Sequence, residues 1–189
     1  MALSTYVSSI ELSHQASCLS KASASNYTHE WHIQVRGVGG ARIEKFIEKV
    51  IFQLHETFAE PKRVIKEPPY EIRENGFGSF DMGIEIVLKR RDVPYKFVFT
   101  YDMVLPALGQ PPIRKVRTET LYIPSGVQFG QLLISGGAKM LDEKDEEEYN
   151  FTKKPKLAPH KTIAASKDIP KLSSSSSKSY KSLFMNMLI

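Results

Sequence analysis

An all-β domain, folded as an antiparallel sandwich with a short C-terminal helix and a disordered tail, is predicted by three features of the sequence. Several short segments alternate apolar and polar residues with the two-residue period of a half-buried strand. Glycine, proline and small polar clusters separate them at intervals typical of turns. Beyond Gly137 the composition changes abruptly to charge blocks and a serine run that cannot bury enough apolar surface to offset the entropy of ordering. The expected organisation is a folded domain over residues 1–138 and a disordered, charged, serine-rich tail over 139–189.

The elements follow in order. "SSIELS" reads as a first short strand. In "HEWHIQVRG", Trp31, Ile33 and Val35 alternate with His32, Gln34 and Arg36. "ARIEKFIEKVIFQLHETF" is ambiguous: Ile43, Phe46, Ile47, Val50 and Ile51 fit helical spacing, whereas Val50, Phe52 and Leu54 fit a strand. The β-rich surroundings favour a short turn or helix giving way to a strand near Glu48. "YEIRE", after Pro68-Pro69, and "ETLYI" add two further strands. "GIEIVLKRRDVPYKFVFTYD" predicts a hairpin, with Ile84, Ile86 and Leu88 on one arm, Tyr95, Phe97, Phe99 and Tyr101 on the other, and a turn from Arg90 to Pro94. "VQFGQLLISGG" predicts a short helix ended by Gly136-Gly137.

The net charge of +5 is unevenly spread. From Tyr149 onward eight lysines stand against Asp168 alone, so residues 1–148 are slightly acidic and the basicity belongs to the tail. That argues against a domain whose whole surface grips nucleic acid. A single cysteine, Cys18, excludes an internal disulfide framework and suits a reducing compartment. The first twenty residues lack a basic start and a continuous apolar run, so no secretory signal is expected. No apolar run reaches the roughly 20 residues of a membrane span. The Asn26 and Asn150 acceptor patterns then read as chance. Lys153, Lys154 and Lys156 form a candidate nuclear-import cluster in the tail.

Catalytic and metal patterns fail on spacing. His29 and His32 are three apart on a predicted strand, which points them to opposite faces, so no metal site is expected. No nucleophile elbow or phosphate loop is present, and Asp102 and His55 have no nucleophile beside them. The reading is a chain that is not an enzyme and needs no cofactor. Two loops stand apart: "LHETF", Leu54 to Phe58, and "NGFGSF", Asn75 to Phe80. Each puts an aromatic beside a small or hydroxyl residue at a strand end, where a sandwich displays its loops. Taken alone, Phe58, Phe77 and Phe80 read more readily as caps of the core than as a ligand site.

The stretches "THEWHIQVRG", "FIEKVIFQLHETFAEPKRVIKEPPYEIRENGFGSF", "FTYD" and "GQPPIRKVRTETLYI" resemble, in order and spacing, a YEATS domain running from about Val7 to Gly137. The double prolines of "EPPY" and "GQPP" are similar to the branch found in transcription-elongation complexes. The resemblance implies an immunoglobulin-like sandwich in the nucleus that reads acetylated, and also crotonylated, lysine on histone tails. It places Phe58 and Phe77 on the two faces of the acyl-amide, with the Thr57 hydroxyl bonded to the amide. His55 orients that hydroxyl, and the main-chain N–H of Phe77 meets the acyl oxygen. Gly76 and Gly78 shape the loop, Phe80 supports it, Tyr27 lies near the open far end, and Asp102 meets a basic histone side chain. Partners implied are acylated histone tails and subunits of an elongation or chromatin complex, with no membrane.

The residues themselves agree with that chemistry. Acylation removes the lysine charge, so a dry aromatic slot accepts the neutral amide and rejects the strongly hydrated ammonium. A methyl-lysine cage would need rings around a cation and no hydroxyl for an amide. The sequence departs from the elongation branch at Phe77 for tyrosine, Gly78 for alanine, Thr57 for serine, and Pro106 for a polar residue. The first three keep an aromatic, a small residue and a hydroxyl; Pro106 alters one histone contact. The competing expectation is a DNA-contacting or architectural subunit using Lys62, Arg63, Arg90 and Arg91.

Overall fold

The computed structural model describes residues 3–21, 27–92 and 94–141. Among them, strands β1 (Ser4–Cys18), β2 (His29–Gly37), β3 (Ile47–Gln53), β4 (Lys62–Ile65), β5 (Tyr70–Gly76), β6 (Phe80–Leu88), β7 (Lys96–Met103) and β8 (Ile113–Ser125) precede helix α1 (Val127–Ser135) and strand β9 (Lys139–Met140). One antiparallel sheet has the order β5-β2-β1-β8, with β9 also paired to β1. The other has the order β4-β3-β6-β7. The predicted sandwich is therefore present, and the helix ends where expected, with Gly137 in the left-handed region at φ 94°.

The core lies between the sheets. Ile10, Leu12, Ile33, Phe52, Ile84 and Ile86 are fully buried there, set along their strands by the two-residue period that turns one row of side chains inward. The ambiguous segment resolves into a single 3-10 turn at Ile43–Lys45 followed by β3, so the strand begins within a residue of the expected Glu48. Tyr95, expected on the second hairpin arm, sits outside β7, its carbonyl accepting the Leu88 N–H at 2.8 Å.

β1 is far longer than "SSIELS" suggests. Its inward row runs Tyr6, Ser8, Ile10, Leu12, His14, Ala16, and two of those buried side chains are polar. His14 bridges the sheets. Its Nε2–H faces the Val104 carbonyl at 3.0 Å, which leaves Nδ1 to accept the Tyr101 hydroxyl at 2.9 Å. Burial holds the His14 pKa below the usual histidine value and raises that of Tyr101 to about 12.

Candidate functional site

Two strand ends and the loops beyond them meet at one edge of the sandwich. After β3, Leu54 is buried and its N–H is held by the Pro61 carbonyl at 2.7 Å, so the residues between them form a closed loop. Within it the Phe58 N–H bonds the His55 carbonyl at 3.1 Å, a turn that brings the His55 ring back onto Thr57. The Thr57 N–H points at His55 Nδ1 from 3.3 Å, and Thr57 Oγ1 lies 3.0 Å from the same atom. A backbone N–H can only donate, so Nδ1 carries a lone pair. The Thr57 hydroxyl therefore gives its proton to Nδ1 and keeps its own oxygen lone pairs for an incoming donor.

The second wall begins where β5 ends. Gly76 pairs with His29, and its carbonyl accepts the Thr28 N–H at 3.0 Å. A Cβ at Gly76 would stand 3.1 Å from Trp31 Nε1, so the glycine lets the backbone lie against the indole edge. Phe77 then turns outward, 67% exposed, with its ring within 8° of parallel to Tyr27 and the centroids 6.5 Å apart. The floor is a ring cluster. Phe58 and Phe80 are half-buried and 5.3 Å apart, and each ring centroid lies within 5.9 Å of that of Trp31.

These walls enclose a cavity of about 480 Å³ lined by Tyr27, His55, Thr57, Phe58, Gly76, Phe77, Gly78, Ser79, Phe80 and Asp81. Every residue expected to bind an acyl-lysine lines it. Three further contributors carry no such signal in the sequence. Trp31 is legible only as an inward strand residue, yet it lies behind Gly76 and backs the Phe58 and Phe80 rings that line the cavity. Ser79 and Asp81 lie within "GFGSFD", and their types do not mark a slot. A Cβ at Gly78 would meet nothing within 4 Å, and the residue does not occupy the left-handed region, so the fold itself places no demand for glycine there.

Other expected positions fall elsewhere. Asp102 is exposed on β7, directly across the ladder from Asp81, and its Oδ2 lies 3.0 Å from Lys115 Nζ. His29 and His32 do point to opposite faces: His29 is buried, Nε2–H to the Pro106 carbonyl at 2.8 Å, while His32 lies on the outer face. Of the four cations weighed for DNA, Arg90 is buried, donating to the Pro124 carbonyl at 2.7 Å and to Asp92. Arg63 donates to Glu74 at 2.7 Å. Lys62 and Arg91 are exposed, Arg91 beside Glu48. Lys153, Lys154 and Lys156 lie outside the described residues. A larger hollow of about 770 Å³ crosses the outer face of the β5-β2-β1-β8 sheet, but its Gln15, Glu30, His32, Arg73 and Arg114 side chains form an open polar surface without paired aromatic walls.

Residues 26–107 match the family model described as the YEATS family. Human protein AF-9 is 39% identical over 129 residues, which is 68% of this chain and 23% of the human protein. An AF-9 homolog of Schizosaccharomyces pombe is 38% identical over 111 residues, 59% of this chain and 50% of that protein. The chain thus spans between about a quarter and a half of the length of these relatives. The Yaf9 YEATS domain, solved bound to H3K27ac, superposes with a TM-score of 0.62 at 27% identity, covering 71% of this chain and 97% of that one. A sequence match that contains both slot loops, on a sandwich that covers nearly all of a solved relative, means that the chain belongs to the YEATS family.

Proposed function

We propose that this chain is a non-enzymatic nuclear reader of acylated lysine on histone tails, acting in transcription through a chromatin or elongation complex. The observation that carries the reading is the Thr57 oxygen, its proton committed to His55, at the wall of an aromatic cavity. An acyl-lysine side chain ends in an amide with one donor and one acceptor. The amide N–H donates to Thr57 Oγ1, the acyl oxygen accepts the main-chain N–H of Phe77, and the flat amide lies between Phe58 and Phe77. Both polar groups are then satisfied inside an otherwise apolar slot. A free lysine would bring a hydrated ammonium with three donors and no acceptor, and entry would cost its desolvation.

Further support comes from relatives. The Yaf9 YEATS domain has been solved bound to H3K27ac and recognising an H3K122suc peptide. Acetyl-lysine on histone H3 is the ligand class expected here, with the planar crotonyl group also accommodated between two rings. Asp102, exposed on the strand paired with β6, is assigned to a basic histone side chain, which would compete with Lys115 for its carboxylate.

Calorimetric titration with an H3K27ac peptide and with a DNA duplex, each at two salt concentrations, tests the reading against the DNA-contacting alternative. Acetyl-peptide affinity should fall only weakly with salt, because the buried group is neutral and the one charged contact assigned, at exposed Asp102, contributes little. Peptide binding that is absent at low salt, alongside DNA binding that falls steeply as salt rises, would favour phosphate contacts through Lys62 and Arg91.

A further inference from the structure

We infer that Ser79 is a positioning residue of the slot: its side-chain oxygen ties the slot loop to the connector that joins β7 to β8, and that tie sets the slot's affinity. The inference rests on the acyl-lysine reading above. Ser79 lines the cavity, and its Oγ accepts the Leu105 N–H at 2.9 Å across 26 residues of sequence.

The connector is an unusually well-held partner. Its first three residues are each gripped from a different segment. His14, from β1, donates to the Val104 carbonyl at 3.0 Å. Ser79, from the slot loop, takes the Leu105 N–H. His29, from β2, donates to the Pro106 carbonyl at 2.8 Å. The Cys18 thiol adds a longer contact to the Ala107 carbonyl at 3.6 Å. Leu105 also packs its side chain against the core, and Pro106 is buried. Two buried histidines thus anchor the connector to the β1–β2 side of the sandwich.

The slot loop has little of its own to hold it. Between the end of β5 at Gly76 and the start of β6 at Phe80 lie three residues. Phe77 is mostly exposed, and Gly78 offers the backbone the widest freedom of any residue, with open space where a side chain would stand. A loop left free would be ordered only when ligand binds, and that ordering would subtract from affinity. Fixing Ser79 to a firmly anchored connector orders Phe77 and its N–H beforehand. A serine in an exposed loop could simply turn its hydroxyl to water; here the oxygen instead satisfies a backbone donor from another loop.

The test uses the full chain with Ser79→Ala, which removes the acceptor, and Ser79→Thr, which keeps it. Hydrogen exchange of the Leu105 amide reads the tie directly, titration with an H3K27ac peptide reads affinity, and the melting temperature controls for folding. Ser79→Ala is expected to speed Leu105 exchange by about tenfold and weaken peptide binding by about fivefold, the factor to which a net hydrogen bond amounts. Melting should be nearly unchanged, and Ser79→Thr should restore both readouts. Unaltered Leu105 exchange in Ser79→Ala would overturn the tie. Faster exchange with unaltered affinity would overturn its role in positioning, as would equal loss in both variants. A wild-type chain that binds no acetylated peptide would overturn the reading and this role together, and the Leu105 exchange pattern distinguishes that failure from a missing tie.

Discussion

Replacing Phe77 by alanine removes one wall of the slot while leaving the core intact, and the two consequences have separable sizes. About two thirds of the Phe77 surface is exposed. An aromatic side chain of about 200 Å² would therefore lose only about 70 Å² of covered area, worth at most about 1.7 kcal/mol of stability at about 25 cal/mol per Å². The same change at Phe46 or Phe52, both fully buried, should cost about 3 to 5 kcal/mol. Binding should respond the other way round. Phe77→Ala takes a stacking face from the acyl group and opens the slot to water, weakening acyl-peptide affinity by roughly 1 to 3 kcal/mol, or about fivefold to 150-fold. Phe77→Tyr keeps the ring and should be close to neutral. The assay is paired: thermal melting and acyl-peptide titration on the same variant. A Phe77→Ala protein that melts as early as Phe52→Ala yet, while folded, binds acyl-peptide like wild type would return Phe77 to the core and refute the reasoning.

Other substitutions separate the slot's chemistry from its shape. Thr57→Val keeps the volume but removes the acceptor, so acyl-peptide binding should weaken by about 1 kcal/mol or more with little change in melting, while Thr57→Ser should bind nearly as wild type; equal affinity for both variants would remove the hydroxyl from the binding chemistry. Gly76→Ala sets a methyl 3.1 Å from Trp31 Nε1 and should destabilise by about 1 to 3 kcal/mol while shifting the emission of the single tryptophan. Gly78→Ala meets open space and should leave the melting temperature unchanged or slightly raised, and a large drop would contradict the loop geometry. For His14 the folded pKa lies below the unfolded one, so the unfolded chain takes up a proton first as pH falls. Its contribution to stability is full above about pH 6.5 and is lost as pH drops through and below that value; His14→Gln should flatten the melting profile across that window, and an unchanged profile would rule His14 out as its source.

The strands are legible wherever alternation is apolar. β2 matches "HEWHIQVRG" residue for residue, because Trp31, Ile33 and Val35 are all buried hydrophobes. β1 reads short in sequence because its inward row includes Ser8 and His14, and the His14 ring depends on a partner supplied by a distant strand. β4 leaves no mark at all. It is four residues of edge strand with Lys62 and Val64 exposed, so no buried face signals it. The aromatic slot is visible as residue types in two loops, but pattern alone divides Phe58, Phe77 and Phe80 between core and ligand. Tertiary structure resolves that division unevenly: Phe58 and Phe80 pack against the core and also line the cavity, whereas Phe77 stands outside the core. The Ser79–Leu105 tie has no local signal, since it joins residues far apart in the chain through a single hydroxyl. The expected use of Arg90 for phosphates fails for a related reason: a guanidinium reads as surface charge until the Pro124 carbonyl that receives it is located.

The most direct test of the central claim is a nuclear magnetic resonance titration of the isotope-labelled chain with an H3K27ac peptide and with the same peptide unmodified. Acyl-lysine reading through the slot predicts saturable shifts at the amides of Thr57, Phe58, Gly76, Phe77 and Gly78 with the acetylated peptide, and none at those positions with the unmodified one at equal concentration. Identical shifts with both peptides, or shifts confined to His32, Arg73 and Arg114 on the outer face of the β5-β2-β1-β8 sheet, would contradict it.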